Sequence, residues 1–213
     1  MNSYLCFADR DGQLFECCHT VCVMDTSGSM AERDYGDSRL ECGVRAFGQL
    51  VDVKVRTYPQ DVVGVVSFSD KAITRHTGAV VGTDHSSLLA SMAGVEADGY
   101  TGIGLGLVAA QRILFRLLGQ SAGRRVRSQV ILLTDGENNH QPPDPVEVAR
   151  EMKEDGVWFD VIGIGKVEDL DVTSLKSIAS LRPDGTPSYR FVGDQEALNK
   201  HLAELAHHYL MPL

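Results

Sequence analysis

The fold is decided by the stretch Val21-Cys22-Val23-Met24-Asp25-Thr26-Ser27-Gly28-Ser29, in which four apolar residues run directly into a loop of oxygen-bearing side chains. A continuous apolar run of this kind is typical of a strand that is buried on both faces of a parallel sheet. The loop places oxygens at alternate positions, and Gly28 lets the backbone turn tightly between them. Side chains spaced in this way can converge on one point, as a hard divalent cation requires.

Short β-branched runs alternate with helical patterns along the rest of the chain. Further strands are predicted over 62–68, 129–134, 158–164 and 189–192, with an irregular edge strand or hairpin over 72–81. Long helices are predicted to begin at the capping box Ser38–Glu41, at Ile103, at Asp144-Pro145 and at Asp194, with short ones over 85–93 and 173–181. This alternation predicts an α/β fold: a doubly wound, mostly parallel sheet with helices on both faces and one antiparallel edge strand.

The first eighteen residues precede this pattern. Apolar pairs flank the turn signal Asp9-Arg10-Asp11-Gly12, which predicts a hairpin or an added edge strand over 1–18. Residues 19–213 are predicted to form a single domain, because a chain of 213 residues suits one core and is short for two.

Two of the predicted strands end in aspartate, at Asp25 and Asp135. In open α/β sheets, ligands bind outside the carboxyl ends of the strands, at the point where the winding reverses. The loop after Asp25 is similar to the start of a helix–loop–helix calcium site, but Met30 and Gly36 stand where such a loop needs glycine and glutamate. The ligand set must therefore be completed from distant parts of the chain.

The Asp-x-Ser-x-Ser motif at 25–29 resembles the signature of the von Willebrand factor type A domain family and its metal-ion-dependent adhesion site. Thr101, in Gly99-Tyr100-Thr101-Gly102, matches the family's threonine from a second loop, and Asp135 matches the aspartate at the end of a later strand. The resemblance spans about residues 19–210. It implies one ion, Mg²⁺ or else Mn²⁺ or Ca²⁺, with the ligands Asp25, Ser27, Ser29, Thr101 and Asp135.

Only two of those five ligands are anionic, so the cation would keep an open position and attract an external carboxylate. The resemblance therefore implies a non-enzymatic adaptor that binds an Asp or Glu of a protein partner. It further implies a free-standing cytoplasmic protein of bacterial type. The candidate partners are an AAA-type ATPase of the MoxR kind, a metal chelatase, or a kinase or phosphatase of a stress or defence system. Tyr100 and the acidic loop Ala31–Asp37 depart from the usual family pattern, and we expect them to influence the choice of partner.

Composition excludes some other classes of function. A net charge of −9 argues against nucleic-acid binding, which needs a basic face. No apolar run reaches the length of a membrane helix, and the N-terminal residues lack the apolar core of a signal peptide. We therefore expect a cytoplasmic location with reduced cysteines.

Three alternatives remain at this stage. Cys17-Cys18-His19 and Cys22 could form a zinc cluster, although the spacing fits no common zinc pattern and buried small hydrophobes are the favoured interpretation. The metal could activate water in a phosphohydrolase with Asp135 as the base, but no Lys or Arg phosphate clamp and no Ser–His–Asp set is evident. The chain could also be a metal-free scaffold that docks through the basic run Arg124–Arg127 or through residues 1–18.

Overall fold

The computed structural model describes residues 7–8, 14–34, 36–121, 123–139 and 142–206. Its strands are β1 (Phe7–Ala8), β2 (Leu14–Phe15), β3 (Cys17–Asp25), β4 (Val62–Phe68), β5 (Ala72–Val80), β6 (Val126–Thr134), β7 (Trp158–Ile164) and β8 (Tyr189–Val192). The last six form one sheet in the order β5-β4-β3-β6-β7-β8, in which only β5 is antiparallel to its neighbour. The predicted fold class is confirmed.

Within the described residues, six α-helices connect and cover these strands. They are α1 (Arg39–Thr57), α2 (Val81–Ala90), α3 (Ile103–Gly119), α4 (Pro145–Glu154), α5 (Val172–Ile178) and α6 (Gln195–Ala206), and two 3-10 turns lie at Gly28–Ala31 and Val167–Asp169. The predicted capping box starts α1: the Ser38 hydroxyl accepts from the Glu41 N–H, and the Glu41 carboxylate accepts from the Ser38 N–H. Asp144 caps α4 in the same way by accepting from the Val146 N–H.

The sheet is buried on both faces because successive residues of each strand point to opposite sides. Val21 and Val23 of β3 pack into a core shared with α3, α4 and α5. Cys22 and Met24 pack into a second core shared with α1, α2 and α6. This explains why Val21–Met24 is a continuous apolar run.

The winding of the sheet reverses between β3 and β6. The chain passes from β3 to β4 and β5 on one side, and then returns to place β6 on the other side of β3. The register pairs Met24 with Leu133, so Asp25 and Thr134 are neighbours at the carboxyl end of this junction. Both predicted strand-end aspartates thus lie where such sheets bind ligands.

Several local predictions differ from the structure. The helix predicted over 85–93 is α2, which starts earlier and is kinked at Asp84. β6 starts at Val126, so Arg127 belongs to the strand, and its guanidinium lies 5.4 Å from the centroid of the Trp158 ring. β3 begins at Cys17, within the segment 1–18 that was predicted to precede the domain, and β1 and β2 pair antiparallel in a separate two-stranded sheet. The division into 1–18 and 19–213 stays a prediction.

The zinc alternative gains no support from the structure. Cys17, Cys18 and Cys22 are buried within β3, where neighbouring side chains face opposite ways. In the described part of the chain, no three His, Cys, Asp or Glu side chains form a group that could hold a metal ion. Cys6 lies outside the described residues.

Among the residues that the structure describes, no helix is long and apolar enough to cross a membrane.

Candidate metal centre

Hydrogen bonds link the two strand-end aspartates through the serines of the first loop. The Ser27 N–H donates to Asp25 Oδ1 at 2.8 Å, and the hydroxyls of Ser27 and Ser29 lie 3.2 Å apart. The Ser29 hydroxyl then donates to Asp135 Oδ1 at 2.8 Å. Residues 106 positions apart in the sequence therefore meet at one point.

Thr101 lies beside the same cluster. The Gly28 N–H donates to the Gly99 carbonyl at 3.0 Å, which joins the loop of Thr101 to the first loop. A Cβ on Gly136 would stand 3.5 Å from Thr101 Oγ1, so the threonine hydroxyl is next to the residue that follows Asp135. All five predicted site residues are thus brought to one end of the β3–β6 junction.

The two carboxylates of this cluster are shielded from water. Asp25 and Asp135 are both 0% exposed. Burial raises the pKa of Asp25 to about 7, helped by the charge of Asp135 and opposed by the hydrogen bonds from Thr134 and Ser27. Burial also raises the pKa of Asp135, against the effect of an arginine, Arg39, that donates to it. Asp135 is paired with Arg39, whereas Asp25 accepts hydrogen bonds from neutral groups of Ser27 and Thr134, so a nearby cation would stabilise the charged form of Asp25 above all.

A family model described as the von Willebrand factor type A domain matches residues 20–137, more than half of the chain. The chain belongs to this family. The predicted family is thereby confirmed, whereas the five metal ligands stay a prediction.

Several known proteins are similar to this type A domain at low sequence identity. An Arabidopsis thaliana protein named a 26S proteasome non-ATPase regulatory subunit 4 homolog is 24% identical over 150 residues, which are 70% of this chain and 37% of that protein. BatB from Bacteroides thetaiotaomicron superposes with a TM-score of 0.69 at 23% identity, covering 89% of this chain and 98% of its own. Proximal thread matrix protein 1 of the mussel byssus, with a zinc-occupied adhesion motif, superposes with a TM-score of 0.65 at 20% identity, covering 89% and 45%.

The loop that carries Thr101 in this type A domain is held by two asparagines that the sequence analysis missed. Asn139 Oδ1 accepts from the Thr101 N–H at 2.8 Å, and the Asn139 N–H donates to the Thr101 carbonyl. Asn138 Oδ1 accepts from the Ile103 N–H at 2.9 Å. The amino end of α3 is therefore partly capped by an amide oxygen. The signal available in the sequence was their place in the loop just after the strand-end motif Asp135-Gly136, with Glu137 between.

Tyr100, one of the departures from the family pattern, is held at its backbone N–H by a further residue that the sequence did not point to, Asp70. Asp70 Oδ1 accepts from the Tyr100 N–H at 2.6 Å. Gly99 adopts φ +81°, and a Cβ there would lie 2.7 Å from Asp70 Oδ2, so only glycine fits at this turn. The Tyr100 side chain is 66% exposed beside Thr101.

The acidic loop Ala31–Asp37 is the other departure from the family pattern, and two arginines of α1 pair with its carboxylates. Arg39, fully buried at the start of α1, donates to Glu32, Asp34 and Asp135. Arg45, one turn and a half further along α1, pairs with Asp37 at the surface. The loop is therefore tied to the helix that follows it.

Proposed function

We propose that this type A domain is a protein-interaction adaptor that grips an acidic side chain of its partner through one divalent cation. The observation that carries the proposal is the hydrogen bond from Ser29 to Asp135, because it joins two distant parts of the predicted ligand set. Asp25, Ser27 and Thr101 lie at the same end of the β3–β6 junction, which supports one site for all five candidate ligands.

The chemistry of these side chains fits a hard cation. Every candidate ligand atom is an oxygen, which suits Mg²⁺, Mn²⁺ or Ca²⁺. The raised pKa of Asp25, caused mainly by burial, is the behaviour of a carboxylate that a nearby cation would stabilise in its charged form. Mg²⁺ is the first choice, and the zinc-occupied motif of the mussel protein makes Zn²⁺ a useful fourth ion to compare.

The proposed ligand of the bound cation is a carboxylate of another protein. Two anionic side chains leave a divalent cation short of charge when the other three ligands are neutral hydroxyls, so an incoming Asp or Glu completes the site. Tyr100 stands exposed at its edge and would contact the residue that arrives. The similarity to a proteasome subunit homolog supports a role inside a protein assembly. An AAA-type ATPase and a kinase or phosphatase of a stress or defence system are the partner classes that we propose.

We propose further that the chain is not an enzyme. The arginine at the site, Arg39, directs all three of its side-chain nitrogens to carboxylates and so offers no clamp for a phosphate. The pair Ser87 and His76 lies within hydrogen-bonding distance, but His76 Nδ1 accepts from the Gly78 N–H. Nε2 must then carry the ring proton and cannot act as a base toward the serine.

Isothermal titration with Mg²⁺, Mn²⁺, Ca²⁺ and Zn²⁺ tests the metal part of the proposal. We expect one ion to bind to the wild type and binding to be lost in Asp25→Ala and weakened in Ser27→Ala. Ser128→Ala is the matched control, since Ser128 is equally buried in β6 but lies toward the amino end of that strand. Absence of binding, or binding that persists in Asp25→Ala, would refute the proposal.

The carboxylate part is tested on the loaded protein. N-acetylglutamate amide and its glutamine counterpart are added in the presence of Mg²⁺ and then of EDTA, and chemical shifts are followed by NMR. Binding of the glutamate compound only, and only with Mg²⁺, is the expected result. A protein partner that is retained equally well in EDTA indicates the metal-free scaffold instead. Metal-dependent turnover in a phosphatase screen, lost in Ser27→Ala, indicates an enzyme.

A further inference from the structure

Arg39 occupies a position that is unusual for an arginine. Its side chain is 0% exposed although it is the first residue of α1. Nη1 donates to Asp135 Oδ2 at 2.8 Å, Nε donates to Asp34 Oδ2 at 2.7 Å, and Nη2 donates to Glu32 Oε2 at 2.9 Å. One guanidinium thus connects a predicted metal ligand to the acidic loop that follows the metal motif.

The neighbouring backbone leaves room for this guanidinium. Gly165, just after β7, has φ +88°, and a Cβ at that position would stand 2.6 Å from Arg39 Cζ. A side chain at 165 would therefore displace the guanidinium, so the glycine leaves the space that Arg39 fills. Lys166 lies outside it, with Nζ 3.7 Å from Glu32.

Arg39 engages one of the two carboxylate oxygens with which Asp135 could bind a cation. Oδ2 of Asp135 is engaged by Arg39, so Oδ1, which faces Ser29, is the oxygen directed at the centre. While this ion pair holds, part of the acceptor capacity of Oδ2 is taken up by the guanidinium, and Oδ1 is the freer oxygen for an ion. The positive charge of Arg39 also offsets the negative charge of Asp135, and in a buried site this effect is weakly screened.

We propose that Arg39 is a positioning residue that limits Asp135 to one oxygen and keeps the metal centre poor in negative charge. This proposal rests on the proposed function. Arg39 lowers the affinity of the protein for the cation and raises the affinity of the bound cation for an external carboxylate. The same contact joins the ligand set to Glu32 and Asp34, so the acidic loop is part of the support of the centre.

The variant Arg39→Gln tests whether Arg39 changes the affinity for Mg²⁺ and the affinity for an external carboxylate in opposite directions. In Arg39→Gln we expect Mg²⁺ to bind about tenfold more tightly, because a like charge beside the ion has been removed. We expect N-acetylglutamate amide to bind the Mg²⁺-loaded variant about tenfold more weakly, because the ion is now better neutralised by Asp135. A purely structural role for Arg39 would weaken both affinities together.

Arg56→Gln is the matched control, since it removes the same charge from the same helix at an exposed residue in its last turn, away from the acidic loop. Both affinities should equal those of the wild type. Should Arg39→Gln fail to fold, as judged by circular dichroism, Arg39→Gln/Asp34→Asn removes one of the carboxylates that the arginine neutralises and keeps the charge balanced. There the two affinities should change in the same opposite directions but by less than tenfold, because loss of the Asp34 charge offsets part of the charge removed at Arg39.

The outcomes separate this proposal from the one on which it rests. A wild type that binds no Mg²⁺ refutes the proposed function. A wild type that binds Mg²⁺, together with a folded Arg39→Gln variant whose Mg²⁺ affinity is unchanged or weaker, overturns the role of Arg39 and leaves the proposed function standing.

Discussion

Thr134 Oγ1 donates a hydrogen bond of 2.5 Å to Asp25 Oδ2 across the junction of β3 and β6. The two residues are neighbours on adjacent parallel strands, and both are fully buried. Together with the Ser27 N–H, this hydroxyl satisfies both oxygens of a carboxylate that has no access to water. Thr134 is the last residue of β6 and directly precedes Asp135. The strand that leads into one candidate ligand, Asp135, therefore supports the other, Asp25.

Thr134→Val removes that donor while keeping the shape of the side chain. We expect a loss of about 1.5–3 kcal/mol in the free energy of unfolding, because a buried carboxylate loses a hydrogen bond. Thr26→Val is the control: Thr26 Oγ1 donates to the Phe68 carbonyl, which is neutral, and the expected loss is about 1 kcal/mol. Urea unfolding measures both. Equal losses in the two variants would show that the charge of Asp25 adds nothing.

His19 in β3 should make the protein sensitive to acid. Burial lowers the pKa of His19 to about 4, and in the described part of the chain its Nδ1 has no hydrogen-bond partner. The unfolded chain therefore binds a proton near pH 6.5 that the folded state refuses until about pH 4. Stability is fully present above pH 6.5 and declines by roughly 3 kcal/mol as the pH falls through this window.

His19→Val removes the titrating group from the strand. Urea unfolding between pH 4 and 7.5 should show a smaller decline toward acid in this variant than in the wild type. Parallel curves for the two proteins would contradict the assignment of the effect to His19.

The buried pair of Lys54 and Asp61 stabilises the opposite end of the sheet. Lys54 Nζ donates to Asp61 Oδ2 at 2.7 Å, and Asp61 Oδ1 accepts from the Cys18 N–H. Lys54→Met leaves a buried carboxylate without its counter-ion, and we expect a loss of about 3–5 kcal/mol. Lys54→Met/Asp61→Asn keeps an acceptor for the Cys18 N–H and should be more stable than the single variant. Thermal and urea unfolding of the single and double variants measure whether the two substitutions change the free energy of unfolding independently or compensate each other.

Tyr100 is predicted to act on the partner and not on the fold or the ion. Tyr100→Ala should change the free energy of unfolding by less than about 0.5 kcal/mol, because the side chain is mostly exposed. Mg²⁺ affinity should stay at the wild-type value, whereas the affinity of the loaded protein for its partner should fall. Phe115→Ala on α3, also largely exposed, serves as the control away from the centre. A partner affinity that is unaffected by Tyr100→Ala would exclude the residue from the interface.

The fold could be predicted because its signals are local. Apolar runs set the buried strands, and the caps at Ser38, Asp144 and Asp194 set where helices begin. The strand-end rule then placed Asp25 and Asp135 at one edge of the sheet without any knowledge of contacts.

The supporting residues could not be predicted in the same way, because their partners lie far along the chain. Arg39 reaches a carboxylate 96 positions away, and Asp70 holds a backbone N–H 30 positions away. Arg39 follows a helix cap, a position that gives no sign of burial. Asn138 and Asn139 are polar residues in a loop, and only the fold shows that they cap α3 and hold Thr101.

The reversal of the winding between β3 and β6 has a mechanical consequence. The proposed metal centre lies at the carboxyl ends of β3 and β6, where the strands from the first and the second half of the chain meet. These two strands are paired in register from Cys17–Val126 to Met24–Leu133. A partner bound there pulls on β3 and β6 together and from the same end, so the load is divided between two parallel strands and does not slide one past the other. Each of these strands is also paired on its other side, to β4 and to β7, and the force therefore spreads into the rest of the sheet.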